Sequence, residues 1–406
     1  MKALHLLQGR RPVWFPFIGS SGILQKMTKK HGSEWRACLE LSKQYSTNVL
    51  GMRLSTELLV VVFGEKNVRQ VFNEKEFDNR PDNFFARLRI TFANGEVWKE
   101  HRQFAVKNLK YVGYGKTQME KEIQNALSSL LEQIKESNDK PINIANLLSE
   151  SVINVLWKFV AGERIKEETL KHLLDLFRQR GKAFSVAGGL LNQIPWCRFI
   201  IPELSGYSLI QKLNADISKV IEEAIEKHKN KEVEGNDFIY KFLDVMYSKE
   251  QLKIVCLDFF IAGSQTSSNY LSFAFLKVLK CQDIQEKIFN EIDTIIGDRT
   301  PCWNDNERLV YTSAFMQEVH RYYPVVCMAG PRSLQTDTSI DGYRIPKGRR
   351  RCPGDSLAKS FIFITFVGIL QKYRIHVSNG TVPSDKPVIG ILSSPKPYTA
   401  EFTLRK

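Results

Sequence analysis

The chain has 406 residues, 43% hydrophobic, 25% charged and 11% aromatic, with 58 Lys and Arg against 44 Asp and Glu for a net charge of +14. At a mean hydropathy of −0.26, that balance excludes a disordered chain, a collagen-like repeat and a polytopic membrane protein. The seven cysteines, at 38, 197, 256, 281, 302, 327 and 352, are scattered and never spaced as C-x-x-C, which argues for a reducing compartment over a disulfide framework.

Residues 1–22 join a short apolar patch and Arg10-Arg11 to a Pro-, aromatic- and Gly-rich lead-in, too short for an anchor helix. No window approaches the roughly 18 uninterrupted apolar residues of a spanning helix. Residues 52–63 mix β-branched residues and leucines ahead of Gly64, which predicts a strand pair. Segments 117–136, 143–161, 165–184, 208–230, 251–280 and 281–297 carry apolar residues at three- and four-residue spacing, many with Lys and Glu opposite, and are predicted helices. Asp341-Gly342 is a favoured two-residue turn between Ser339-Ile340 and Tyr343-Arg344-Ile345. A second hairpin is expected in the tail, from Gly390-Ile391-Leu392 to Phe402-Thr403-Leu404, and an apolar helix from about Asp355 to Lys372. Without a fixed-period repeat or a low-complexity linker, the economical reading is one large, mainly α domain over 1–406 with a small β subdomain.

The sharpest chemical signal is Gly348-Arg349-Arg350-Arg351-Cys352-Pro353-Gly354, just before that last helix. Nearby cations and a helix N-terminus lower a thiol pKa, and a thiolate is a good metal ligand. An inert cysteine beside a solvated basic run reads the heptapeptide about as well. In 258–279, Gly263, Ser264, Gln265 and Thr266 interrupt an otherwise apolar helix. A helical glycine costs roughly 1 kcal/mol relative to alanine, so it has a reason: a flat ligand lying against the helix, or a close helix crossing. Glu318 and Arg321 stand three apart on one helical face, normally a surface pair. Trp98 and Arg102, four apart, present an indole N–H and a guanidinium that can grip one carboxylate, although a core Trp beside an exposed Arg is commoner.

The histidines at 5, 31, 101, 172, 228, 320 and 376 form no HExxH, and there is no Walker loop, no GxGxxG after a strand and no GxSxG. Basic residues sit on helices that also bear acids, so nucleic-acid binding has no specific support.

In order, WxxxR at 98–102, AGxxT at 262–266, ExxR at 318–321 and RxCxG at 350–354 resemble the haem-thiolate monooxygenases, the cytochrome P450 family, in its animal microsomal branch. FDNRPDNFF (77–85), PKG (346–348) and SSPKPYTAEF (393–402) add to the likeness, and the AGSQTSSN and RPDNFF segments look most like methyl farnesoate epoxidases and related enzymes. The resemblance implies haem b with Cys352 as axial thiolate, and Trp98, Arg102, Arg350 and Arg332 on its propionates. Thr266 would serve oxygen activation, with Gln265 in place of the usual acid before it, so proton delivery runs through water and the Thr hydroxyl. Glu318 and Arg321 would be a structural pair. The resemblance further implies a lipophilic substrate, electrons from NADPH through a flavoprotein reductase, and peripheral contact with the cytosolic face of the endoplasmic reticulum membrane.

The chain also departs from the family pattern. Several tens of residues normally separate PKG from the haem-binding loop, whereas Gly348 runs directly into Arg349, making 339–354 an atypical junction. Ile345 stands seven residues before Cys352, where the family has Phe. The missing segment carries the Arg that completes the ExxR network, so a buried Glu318–Arg321 pair is expected to lack a partner. Between Arg89 and Asn94 the substrate-covering loop is short. These departures point to a truncated or exon-skipped isoform; the competing expectations are a catalytically impaired lipid- or partner-binding protein and, with least support, a basic helical nucleic-acid binder.

Overall fold

Helices form where the apolar spacing places them. The structure, a computed structural model, describes residues 12, 19–54, 57–74, 95–183, 191, 197–232, 237–243, 249–329, 332, 337–341, 343–346, 354–389 and 392–405. In chain order these give α1 (Ser21–His31), α2 (Glu34–Gln44), β1 (Val49–Leu54), β2 (Glu57–Val62), α3 (Glu65–Asn73), α4 (Gly95–Tyr111), α5 (Thr117–Glu136), β3 (Ile142–Asn143), α6 (Ile144–Ala161) and α7 (Glu167–Ala183). Then follow α8 (Cys197–Ile200), α9 (Tyr207–Lys229), α10 (Phe238–Leu243), α11 (Lys249–Lys280), α12 (Gln282–Ile295), α13 (Val310–Tyr322), β4 (Asp337–Ile340), β5 (Tyr343–Pro346), α14 (Asp355–Lys372), β6 (Tyr373–Val377), β7 (Val388–Ile389), β8 (Ser393–Ser394) and β9 (Thr399–Leu404).

The six helices predicted between 117 and 297 are α5, α6, α7, α9, α11 and α12, with ends within two residues. The predicted strand pair is β1 with β2, antiparallel from Val49↔Val62 to Leu54↔Glu57. The β4–β5 hairpin closes at Ile340↔Tyr343, with Asp341 at φ 52, as a two-residue turn of mirror type requires. The tail differs from the expectation. Phe402-Thr403-Leu404 pairs with β6, Ile375 opposite Phe402, and the local hairpin is β7 with β8. Ile375 and Phe402 are both buried, so this register puts two large apolar side chains on one face against the helices.

Two large apolar clusters share α6 and α11. One gathers α5, α12, α13, α14 and the β6–β9 strands around the C-terminal half of α11; the other gathers α7, α9 and α10 around its N-terminal half. By length and composition α6 is apolar enough to cross a membrane, yet 61% of it is buried inside the protein. It faces both clusters, which explains a helix apolar nearly all round. Gln285, fully buried on α12, exchanges two hydrogen bonds with the Ile375 backbone, at 2.7 and 3.1 Å, and so fixes β6. Glu291 accepts from the Tyr311 and Thr312 backbone N–H groups at 2.7 and 2.8 Å, capping the positive end of α13.

At two crossings glycine is a steric requirement. A Cβ on Gly368 would sit 2.2 and 2.8 Å from the two methyls of Leu127, where α14 meets α5. Gly368→Leu is therefore expected to destabilise by about 1–3 kcal/mol through overpacking. In a denaturant titration, adding Leu127→Ala to that variant should recover part of the loss, and additive losses would contradict the crossing.

His228, on α9, is buried with both ring nitrogens engaged: Nδ1 lies 2.7 Å from the Ala224 carbonyl and Nε2 3.0 Å from Asp237 Oδ2. The carbonyl can only accept, so Nδ1 carries a proton, and the carboxylate favours a second on Nε2. Burial pulls the imidazole pKa down, but the hydrogen bonds to Asp237 and Ala224 and the charges of Asp237 and Glu163 outweigh it and raise the pKa. A raised folded-state pKa contributes stability that is complete below the unfolded value of about 6.5 and disappears as pH rises through the folded value. The urea midpoint should fall over that upward window, and His228→Gln should remove that component of the pH dependence.

Candidate active site

Three helices each turn one stripe of residues toward a common cavity. On α11 the stripe is Phe259, Ala262, Gly263 and Thr266; on α6 it is Val152, Val155, Leu156 and Phe159; on α14 it is Gly354, Leu357, Ala358 and Phe361. Each follows the i, i+3, i+4, i+7 spacing of one helix face. Leu109 and Tyr114 close one end, around about 860 Å³ of empty space, part of it open to solvent. Small residues on α11 and α14, Ala262, Gly263, Gly354 and Ala358, keep the two walls apart without filling the gap. The described lining holds no charged side chain; its polar groups are the hydroxyls of Tyr114, Thr266 and Ser267. An apolar cleft with a few hydroxyls is of the size and character that hold small molecules or flat cofactors.

The small-polar cluster does not break α11, which runs unbroken from Lys249 to Lys280. Of its two hydroxyls, Thr266 turns back onto the helix, donating to Ala262 O at 2.9 Å as Ser268 and Ser272 further on donate to Ser264 O and Ser268 O at 2.9 and 2.8 Å, while Ser264 Oγ is buried without a hydrogen-bond partner. The Thr266 oxygen keeps its acceptor capacity beside the cavity. Gln265 points elsewhere, its amide donating to the Phe177 carbonyl of α7 at 3.2 Å. Gly263 meets both reasons the sequence allowed: a Cβ there would stand 2.6 Å from a Leu156 methyl at the helix crossing, and the residue lines the cavity.

The other expected site residues divide. Cys352 and Arg350 lie outside the described residues, as does the Gly348/Arg349 junction. Trp98 is on α4, with its side chain outside the described residues, and Arg102 is half-buried on the same helix, seven residues before Leu109. Neither Arg102 nor Arg332 is among the described residues lining the cavity; the Arg332 guanidinium stands 4.4 Å from the Phe72 ring centroid and donates to Val71 O at 3.3 Å, both on α3. Glu318 and Arg321 do pair, through two hydrogen bonds of 2.7 Å, but on an exposed face of α13, with side chains 58% and 71% accessible. The expectation of a buried pair with an unsatisfied charge is thereby corrected, because water solvates both groups. The hydrogen bonds from Arg321, with its charge, hold the Glu318 carboxyl below its usual range.

The cavity stripes on α6 and α14 were not singled out in the sequence. Their signal was present as apolar and small residues at helical spacing, which is also how ordinary core reads.

The family model described as Cytochrome P450 matches residues 10–349, and the chain belongs to that family, whose members are haem monooxygenases with a cysteine thiolate on the iron. By family it is an enzyme. It is similar to the probable cytochrome P450 305a1 of Drosophila melanogaster, 33% identical over 97% of this chain and 94% of the fly protein. It is also similar to the farnesoate epoxidase of Bombyx mori, 30% identical over 90% of this chain and 87% of the moth protein, and to cytochrome P450 2H1 of Gallus gallus, 27% identical over 90% and 88%. The fly alignment runs to 471 positions, while 97% of the 406-residue chain is about 394, so roughly 77 positions face gaps in this chain. The family match stops one residue past Gly348.

Proposed function

We propose that the chain is a haem-thiolate monooxygenase that places one oxygen atom of O₂ into a lipophilic small molecule, by hydroxylation or epoxidation, with electrons from NADPH through a flavoprotein reductase. One observation carries the reading: the apolar cavity lies between the Thr266 face of α11 and the first turns of α14, whose Gly354 follows Cys352 by two residues. Two residues span at most about 7 Å, so the thiolate can reach the cavity wall. The lining fits the group, with aliphatic and aromatic walls for a flat macrocycle and no charge to desolvate. Haem, when bound, supplies iron that activates O₂, and the thiolate's electron donation favours O–O cleavage.

Cys352 would hold the iron; Arg350, Trp98 and Arg102 would hold the propionates by charge-assisted hydrogen bonds. Thr266 would hold a proton at Oγ1 beside the cavity, with Gln265 anchoring that turn of α11 to α7. Arg332, which gives one N–H to the Val71 carbonyl, would be a fourth residue for the propionates. The printed activity of the Bombyx mori relative supports a terpenoid-like acid or ester as substrate. Peripheral contact with the cytosolic face of the endoplasmic reticulum membrane is supported by Phe199, Ile200 and Leu204, 72%, 68% and 83% exposed, next to Arg198. Such an apolar tip beside basic charge suits an anionic bilayer surface.

A second reading, an internally deleted isoform without turnover, is favoured by the gap positions, the abrupt Gly348/Arg349 junction and the uncovered Glu318–Arg321 pair. The carbon monoxide difference spectrum of the reduced, haem-reconstituted full chain separates the two. A red-shifted Soret band supports the monooxygenase; a folded chain that takes up no haem overturns it in favour of the second reading. Sequencing the transcript across the junction tests the deletion itself.

A further inference from the structure

A second cavity lies on another side of α6, between that helix and α5, with about 740 Å³ of empty space, part of it open to solvent. Its chemistry is opposite to that of the first. Ser151, Asn154 and Lys158 of α6 line it with Glu122 and Gln133 of α5, and Arg164 joins them from just beyond α6. Positions 151, 154 and 158 again follow helical spacing, so one helix carries an apolar stripe toward the first cavity and a polar stripe toward this one.

Two polar atoms here are buried without a hydrogen-bond partner, Ser151 Oγ and Asn154 Oδ1, and Ser151 is only 6% exposed. Buried orphans of this kind are uncommon in native proteins and call for a partner. The charges narrow what the partner is. Lys158 donates to the Gly162 carbonyl at 2.6 Å, and neither Lys158 nor Arg164 has a carboxylate partner among the described residues. Glu122, the only acid among the described residues of the lining, is engaged by the side-chain amides of Gln118 and Asn125, at 2.8 and 3.5 Å. Two cations without a counter-ion suit an oxyanion, while Asn154 Oδ1 and Ser151 Oγ can accept from hydroxyls close to it.

We propose that this cavity binds a phosphate ester of a small polyol, free in solution or as a lipid headgroup. The test uses the full chain, with soluble glycerol 3-phosphate in a calorimetric titration and phosphatidylglycerol vesicles in co-sedimentation. Lys158 and Arg164 are exposed, so Lys158→Met and Arg164→Ala are expected to fold with unchanged thermal midpoints. Each should weaken binding on the order of tenfold, as loss of a charged hydrogen-bond partner does, and Ser151→Ala should weaken it less. Saturable binding of the soluble ester that the two substitutions weaken assigns a free ligand. Binding to vesicles alone, lost with the same substitutions, assigns the headgroup. No saturable binding of either probe at millimolar concentration, or binding that survives both substitutions, overturns the proposal.

Discussion

Cys352→Ala is expected to abolish the red-shifted Soret band completely while Cys302→Ala and Cys327→Ala leave it in place. The thiol has three arginines directly before it and the N-terminus of α14 three residues after it, and both features favour the thiolate. No His, Cys or Met is found among the described residues lining the cavity, so no soft or imidazole ligand stands ready to replace it. Cys327 is a poor substitute: burial raises its thiol pKa, only partly offset by a hydrogen bond with Ser393 and the charge of Arg36, and its Sγ–H donates to Pro324 O at 3.2 Å. A band that persists in Cys352→Ala would show that the iron takes another ligand.

The largest loss of stability is expected from Asp237→Ala. Its side chain is almost fully buried; Oδ2 accepts from His228, and Oδ1 caps α10 by accepting from the Tyr240 N–H at 2.9 Å. Truncation removes the cap and leaves an imidazolium buried without its counter-ion, at a cost of about 3–5 kcal/mol. The damage extends beyond the pair, because α10 places Phe238 and Phe242 around Phe104 of α4 and sets Phe238 edge-on to Phe259, a wall of the apolar cavity. Asp237→Asn keeps an acceptor for Tyr240 and should lose less. The difference between wild type and Asp237→Ala should shrink as pH rises and His228 gives up its proton. A loss below about 1 kcal/mol in chemical denaturation would mean that the pair contributes little to folding.

Among the long helices, α5, α9 and α12 were legible because each buries one stripe whose period survives in the sequence, and α6, α11 and α14 as long apolar runs buried nearly all round. The tail was misread for a reason that spacing cannot supply. β9 chooses β6 as its partner across 21 intervening residues, between Val377 and Thr399, and that choice depends on where Ile375 and Phe402 meet the helices. The short helices α1, α2 and α3, of 11, 11 and 9 residues, offer only two or three turns over which a period can be read, and α2 carries a further mark in its cap, Ser33 accepting from the Arg36 N–H at 3.4 Å. At the candidate site, Thr266 and Gly354 were legible from motif order and both line the cavity. The position of Arg332 was not, since a guanidinium takes whichever carbonyl and ring the fold presents, here Val71 and Phe72. The exposure of Glu318 and Arg321 is what their i, i+3 spacing alone suggested, and it was the family resemblance that pointed to a buried pair.

That exposure has a consequence for how the chain changes over generations. A buried ion pair couples its two positions, because replacing either residue first passes through an uncompensated charge. A solvent-facing pair at i, i+3 imposes little on folding. On the open face of α13, positions 318 and 321 become two independent sites, each able to accept a substitution without waiting for the other, so that the ExxR motif of this chain is open to loss by drift while the fold persists.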